Sequence, residues 1–247
     1  MGRRSGGGEL LIMLAARMLE ARPFALSDVP GMVAWFTPRA LIGYSDGNAV
    51  EIWPNACGRG PDAVQATAGK RPVYKTNILN GRPVVRFTAA SGHRLVCAMG
   101  EKSQPTTLFI VFKIPSATGG HQFIVDGTDS VKRQMLYYSS GGKMCVNAGI
   151  LGDAAQALPW GFLIMCLGFN GANGTFYING SPIWGGTGVN FGTNAISGLS
   201  LGAAYNDTSF LSGDIAEFML YNEAVSAANR KLIETYLGTE YGIAVAP

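Results

Sequence analysis

Few residues in this chain are equipped for covalent or metal chemistry, and their spacing keeps them apart. The two histidines, His93 and His121, have no second ligand at metal spacing, so no zinc centre is expected. Cys57, Cys97, Cys145 and Cys166 form no CxxC pair. Cys145 and Cys166 fall inside apolar, strand-like runs, where a free thiol behaves as a small hydrophobe; buried free cysteines are expected, with disulfides the alternative. Among the carboxylates, Glu217 stands out because an apolar strand surrounds it and burial would raise its pKa. Glycoside hydrolysis needs two carboxylates flanking one bond, and Glu217 is read without an acidic partner. No nucleophile elbow announces a Ser-His-Asp set. The GGTG and SGGG runs lack the lysine and the strand-to-helix context of a phosphate loop. Neither catalysis nor a cofactor is expected.

Sugar recognition asks for aromatic faces against the apolar side of a pyranose, and amides or carboxylates for its hydroxyls, at loop tips on one rim. Tyr137, Tyr138, Trp184, Tyr205, Asn206 and Asp207 offer that chemistry. The competing role for each is packing or turn formation, because exposed aromatics in a sandwich usually cover hydrophobic edges. Nucleic acid is a poor partner. The net charge is +3, and the basic pairs Arg3–Arg4, Lys70–Arg71, Lys132–Arg133 and Arg230–Lys231 are scattered, with no stretch interleaving cations and stacking aromatics. These pairs are read as solvated surface.

The elements that must position these residues are mostly strands. The chain has 247 residues, 47% of them hydrophobic, with 34 glycines and 12 prolines, enough for one sizeable core crossed by many turns. MVAWF, AVEIW, RPVVRF, HRLVCAM, TTLFIVFKI, HQFIVDG, KRQMLYYS, KMCVNAG, WGFLIMCLGFN, GTFYING, GLSLGAA and DIAEFMLY follow one another between Gly, Asn, Pro and Ser clusters. About a dozen such runs mark a sandwich or barrel. Leu108 to Phe112 and Phe162 to Leu167 are apolar on both parities, so both their faces need cover, from loops and the C-terminal helix or from neighbouring subunits. TFYINGSPI reads as a hairpin with Asn179 and Gly180 at the turn. In DIAEFMLY, Ile215, Met219 and Tyr221 alternate with Ala216, Phe218 and Leu220. Ser226 then caps a helix with an apolar stripe of Leu232, Ile233, Tyr236 and Leu237, an Arg230–Glu234 pair on the wet side and Gly242 at its end.

At the other end, Glu9 to Arg22 are helix formers stopped by Pro23, with Leu11, Leu14, Ala15 and Met18 on one face. The apolar run Leu10 to Ala16 is too short to span a bilayer, and the segment is expected to remain in the mature chain, with no membrane partner. Such a surface needs covering, either by the chain's own domain or as a docking and oligomerisation helix tethered through SGGG. Residues 1–26 are therefore set apart as helix and linker, and 27–247 as the β domain.

The C-terminal strand and helix resemble the end of the concanavalin A-like, laminin-G-like (LamG) jelly-roll family, in which a GDIAE-type strand, an aliphatic stretch, YN or YD and a closing helix ending in YG recur. SDVPGMVAWF, SDGNAVEIWPNACGRGPDAVQATAGKRPVYKTNILNGRPVVRF and FYINGSPI look like corresponding elements, so the resemblance covers about Ser27 to Ile243. It implies an all-β, two-sheet antiparallel jelly-roll sandwich with a short C-terminal helix, to which the N-terminal helix read above is added, and a structural role for Glu217, tied by Arg or backbone donors. Related glycosidases carry an acidic ExDxE strand that this chain lacks. Where members often carry acids, it reads TPRAL, PNACG and TAASGH. Calcium wants several oxygen ligands, so no metal is expected. Asp126, Asp129, Asn206 and Asp207 offer loop oxygens, but such residues are most often turn formers.

The function expected from these readings is a non-enzymatic virion structural protein of a bacteriophage tail, fibre or capsid surface, assembled in the host cytoplasm. It would dock on other virion proteins through the N-terminal helix, as a homo-oligomer, and display a jelly roll to host-surface glycans. The alternative is a secreted bacterial carbohydrate-binding or glycan-hydrolase module.

Overall fold

The computed structural model describes residues 24–115, 120–153 and 161–247. The expected N-terminal helix, with Leu11, Leu14, Ala15 and Met18, lies outside the described residues. Among those described, sixteen strands follow in chain order: β1 (Met32–Phe36), β2 (Ile52–Trp53), β3 (Ala63–Val64), β4 (Val73–Leu79), β5 (Arg82–Phe87), β6 (Leu95–Cys97), β7 (Thr106–Lys113), β8 (Gln122–Asp126), β9 (Met135–Tyr138), β10 (Met144–Asn147), β11 (Leu151–Asp153), β12 (Leu163–Phe169), β13 (Gly174–Ile178), β14 (Ser181–Val189), β15 (Leu199–Leu201) and β16 (Gly213–Tyr221). The helix α1 (Ala227–Tyr241) comes last.

The strands make two antiparallel layers consistent with a jelly-roll sandwich. The first runs β14-β13-β12-β7-β16-β5-β4, with β1 paired to β16; the second runs β11-β10-β9-β8-β15-β6-β3-β2. The sequence reading misses β3, β4, β11 and most of β14. Of these, β4, β11 and β14 end their sheets; an edge strand needs less apolar patterning, and β4 is further masked by a register shift around Asn77, whose φ is 54°.

The doubly apolar strands are covered on both sides. On β7, Leu108, Ile110 and Phe112 enter the core between the sheets, while Phe109 and Val111 face away. On β12, Leu163, Met165, Leu167 and Phe169 point inward, and Ile164 and Cys166 outward. The outward set packs against Ile233, Leu237 and Tyr241 of α1, each such burial contributing roughly 1.5–3 kcal/mol before entropy is counted.

Two details of the C-terminal unit differ from the sequence expectation. Ile215 shares the inner face with Phe218 and Leu220, not with Met219 and Tyr221, because the β16 register shifts between Ile215 and Glu217. The bulge inserts Ala216 and flips the pleat. The helix stripe is rotated as well. Positions 230, 233, 234, 237 and 241 fall within about 100° of arc at 3.6 residues per turn, so Arg230 and Glu234 are buried together with the apolar face while Leu232 stays 44% exposed. Arg230 pairs with Glu234 and lies 3.6 Å over the Tyr177 ring, so the expected wet-side pair is a covered one. The caps are as expected: Ser226 Oγ accepts the Asn229 N–H at 3.2 Å, and Gly242 ends the helix at φ 63°. The Asn179–Gly180 hairpin turn also forms, with φ of 49° and 76°.

Candidate functional site

With α1 on the outer face of the first sheet, no helix among the described residues covers the outer face of the second. Its strands alternate. Leu136 and Tyr138 of β9, Leu95 and Cys97 of β6, Leu199 and Leu201 of β15 point into the core. Tyr137, Val96 and Ser200 therefore point out.

Phe123 of β8 and Tyr137 of β9 are paired across the ladder, and their rings stack at 4.6 Å with 10° between planes. The exposed His121 ring stands nearly perpendicular to Tyr137, with centroids 5.6 Å apart. On the other side, Arg133 holds its guanidinium 5.9 Å over Phe123 and 4.2 Å over Tyr205. Beneath it lies Asp126, fully buried, which accepts from Arg133 Nε at 2.9 Å and Nη2 at 2.5 Å and from the backbone N–H of Gly127 and of Tyr205, both at 2.8 Å. Burial pushes the Asp126 carboxyl up, and the ion pair with Arg133 opposes it. Phe123 is itself buried, so the surface here presents Tyr137, Tyr205 and His121, with Phe123 behind Tyr137 and Arg133 behind Tyr205 holding the two tyrosine rings.

A polar margin continues from Tyr205. Its carbonyl accepts from Arg94 Nη2 at 3.3 Å, and Arg94 Nε donates to Ser200 Oγ at 3.0 Å. Lys70 Nζ sits 2.6 Å from Asp207 Oδ2 and Arg94 Nη1 3.7 Å from its Oδ1. The hydrogen bond from Lys70 holds the Asp207 carboxyl below the usual carboxylate range. Asn206 is exposed and accepts from Thr208 Oγ1 at 2.6 Å.

Four of the six sequence candidates, Tyr137, Tyr205, Asn206 and Asp207, belong to this surface and its margin. Tyr138 points into the core, 5% exposed, because neighbours on a strand face opposite sides. Trp184 closes a core edge against Phe176 at 5.3 Å and Phe191 at 6.1 Å. The sequence reading misses Phe123, hidden in the apolar run FIV, and Arg133, taken with Lys132 as solvated surface. Lys132 does pair outside, with Glu101 at 2.6 Å; the Asp three residues after Phe123 is the one signal that a cation was wanted nearby.

The loop oxygens weighed for calcium have other partners. Asp126 holds Arg133, Asp207 holds Lys70, and Asp129 Oδ1 accepts the N–H groups of Val131 and Lys132 at 2.7 and 2.9 Å. Among the described residues, no three His, Cys, Asp or Glu side chains converge as metal ligands. His93 is buried with Nδ1 accepting the Thr88 N–H at 3.1 Å, and burial lowers its pKa. The four cysteines are free.

Glu217 is 1% exposed under α1. Trp35 Nε1 and the Tyr241 hydroxyl donate to it, in place of the Arg or backbone donors expected, and burial pushes its pKa up to about 6. It faces away from the open sheet.

Residues 97–229, more than half of the 247, match the family model Laminin_G_3, described as the concanavalin A-like lectin/glucanases superfamily. The chain belongs to this superfamily. No curated protein matches this superfamily member in sequence. Solved structures do in fold. A Trypanosoma rangeli sialidase in complex with the inhibitor DANA aligns at TM-score 0.58 and 14% identity, over 93% of this chain and 39% of the sialidase chain. Domain 4 of AbnA, a GH43 extracellular arabinanase from Geobacillus stearothermophilus in complex with arabinotriose, aligns at 0.57 and 14%, over 81% of this chain and 97% of that domain. The binding domain of Paraclostridial Mosquitocidal Protein 1 aligns at 0.59 and 12%, over 86% and 53%. At these identities the likeness is one of fold, and the chain spans about two-fifths of the sialidase's length.

Proposed function

We propose that this chain is a non-catalytic carbohydrate-binding module that seats sugar rings on the open face of its second sheet. The observation that carries the reading is the Phe123–Tyr137 stack, continued to Tyr205 through Arg133. The partly exposed Tyr137 and Tyr205, held rigid by the buried Phe123 and by Arg133 beside fixed polar groups, suit a ligand with one apolar side and a hydroxylated rim. The carboxylates of this face, Asp126 and Asp207, are each held by a cation, an arrangement that favours binding over acid catalysis, for which a free pair of carboxyls is needed. The fold of an arabinanase domain solved with arabinotriose lends support.

A glycan array probed with the protein on a multivalent carrier tests this, since many copies amplify weak single sites. Binding to at least one glycan class is expected, with Tyr137→Ala lowering it about tenfold, a loss of ~1.4 kcal/mol. No binding on the array, or a Tyr137→Ala variant that binds like the parent, defeats the reading.

The finer setting, display on a bacteriophage particle through residues 9–22 as part of a homo-oligomer, is a proposal that rests on the apolar run Leu10 to Ala16 in the sequence. Light scattering of the full chain against one lacking residues 1–25 tests it. A monomer in both forms counts against it and leaves the module secreted or free.

A further inference from the structure

Among the described residues, the cations carried within strands are Lys75, Arg82, Arg86 and Lys113. The first three each hold a carboxylate: Lys75 pairs with Asp46, Arg82 with Glu240 and Arg86 with Asp214. Lys113, at the end of β7, has no carboxylate partner among the described residues; its ammonium stands 5.7 Å over the Phe162 ring. Yet Asp214 is its direct partner across the ladder, and the partner of Arg86 on the other side. Both oxygens of Asp214 are turned to Arg86, at 2.7 and 2.9 Å.

Directly opposed residues share a face, so Arg86, Asp214 and Lys113 form one row across β5, β16 and β7. Phe87, Ile215 and Phe112 beside them point into the core, which fixes the row on the outer face of the first sheet. Strands lie about 4.8 Å apart, so the two cations leave the backbone roughly 10 Å from one another. Between them is a buried carboxylate that satisfies only one. A cavity of about 350 Å³ opens over this row, with Thr88, Ser212 and Pro115 in its wall and no residue of α1. Its charges do not cancel, since two cations meet one carboxylate. Its donors are also in excess. Arg86 engages Nε and Nη2 with Asp214 and keeps its other N–H groups. Ser212 Oγ accepts the Ala89 N–H at 3.3 Å, which leaves its own proton to donate, and Thr88 is exposed.

We propose that this cavity binds a tetrahedral oxyanion, the phosphate or sulfate group of a larger ligand. Lys113 supplies the uncompensated charge, and Arg86 adds donors in an orientation that Asp214 fixes from behind. Thr88 and Ser212 bring hydroxyls from the adjoining ends of β5 and β16. Donors spread over three strand ends suit oxygens arranged around a centre. A planar carboxylate is best served by a guanidinium fork, and here the fork already faces Asp214. The site lies on the opposite sheet from Tyr137 and is independent of the carbohydrate reading.

Nitrogen-15 NMR titrations of the full chain with methyl phosphate, sulfate and acetate, at an ionic strength held constant with chloride, test this. Saturable shifts of the Thr88, Lys113 and Ser212 amides are expected with methyl phosphate or sulfate, and not with acetate. Lys113→Met, which keeps an unbranched stem against Phe162, should weaken the binding about tenfold. Ser212→Ala, which leaves both charges and the ladder in place, should weaken it about threefold, and Tyr137→Ala should leave it unchanged. A phosphate monoester gains its second charge near pH ~6, so stronger binding of methyl phosphate above that pH than of sulfate identifies a phosphoryl carrier, and the reverse order a sulfated one. Shifts that grow without saturating, acetate bound as tightly as the other two, or an affinity untouched by both Lys113→Met and Ser212→Ala overturn the site.

Discussion

Trp35 Nε1 donates to Glu217 Oε1 at 2.6 Å, tying the first strand to a carboxyl on the last strand across 182 positions of sequence. The other oxygen of Glu217 faces the Tyr241 hydroxyl, which also lies 2.8 Å from the Ala216 carbonyl. One hydroxyl proton serves only one acceptor. With Glu217 protonated every group is satisfied: Glu217 donates to Tyr241, and Tyr241 donates to Ala216. With Glu217 ionised, the Ala216 carbonyl or the carboxylate loses its donor.

The contribution of Glu217 should therefore rise as the pH falls from about 8 to about 5, against an opposing loss from His93, whose pKa burial lowers from its ordinary 6.5. The folded pKa of Glu217, about 6, lies above its ordinary 4.5, so its favourable contribution is complete below the ordinary value and is lost as pH climbs through 6. The difference corresponds to ~2 kcal/mol. Glu234, pushed up to about 7 by burial, acts in the same direction. The lowered carboxyls of Asp46, Asp129 and Asp207 act only in more acidic solution. Urea unfolding across this range should show the slope, and Glu217→Gln, which copies the protonated pattern, should reduce it without unfolding the protein.

Removing the cation above Asp126 should be costly. Arg133→Ala leaves a fully buried carboxylate without its partner, a loss of about 3–5 kcal/mol. Asp126→Asn combined with Arg133→Met should recover much of it. Thermal melts of the three variants check the order.

The rotated helix face gives a contrast within one element. Leu237→Ala opens a space against the sheet, because Leu237 is fully buried, and should cost about 2–5 kcal/mol. Leu232→Ala, on the exposed side, should stay within about 0.5 kcal/mol. Equal losses in denaturant titrations would mean that the helix is seated otherwise.

Thiol labelling should separate the cysteines. Cys57 is half-buried, whereas Cys97, Cys145 and Cys166 are buried, and burial pushes the Cys97 thiol up to about 11. A thiol-reactive dye should label Cys57 in native buffer and the other three only in denaturant, read by mass spectrometry.

What the sequence made legible follows from what periodicity encodes. The run from Gly213 to Tyr221 and the caps Ser226 and Gly242 carry their own signals, so the last strand and the helix are readable. The bulge at Ala216 is not, because Ile215 and Ala216 are both apolar and either parity satisfies the pattern. The Arg230–Glu234 pair looks like a surface pair until Tyr177, from a distant strand, covers it. In the candidate site, Tyr137 and Tyr138 are chemically alike; only the pleat assigns one to the open face. Phe123 and Arg133 become site residues through the contacts that bring β8, β9 and Tyr205 together, and no local pattern records those.

β16 is the last in chain order of the sixteen strands among the described residues, yet it lies within its sheet between β7 and β5, with every residue buried. A growing chain on the ribosome must hold the edges of β7 and β5 open until residues 213–221 have left the exit tunnel, since no earlier segment fills that slot. Assembly of this layer is thus postponed until β16 has been made, and β5 and β7 are exposed to mispairing until then.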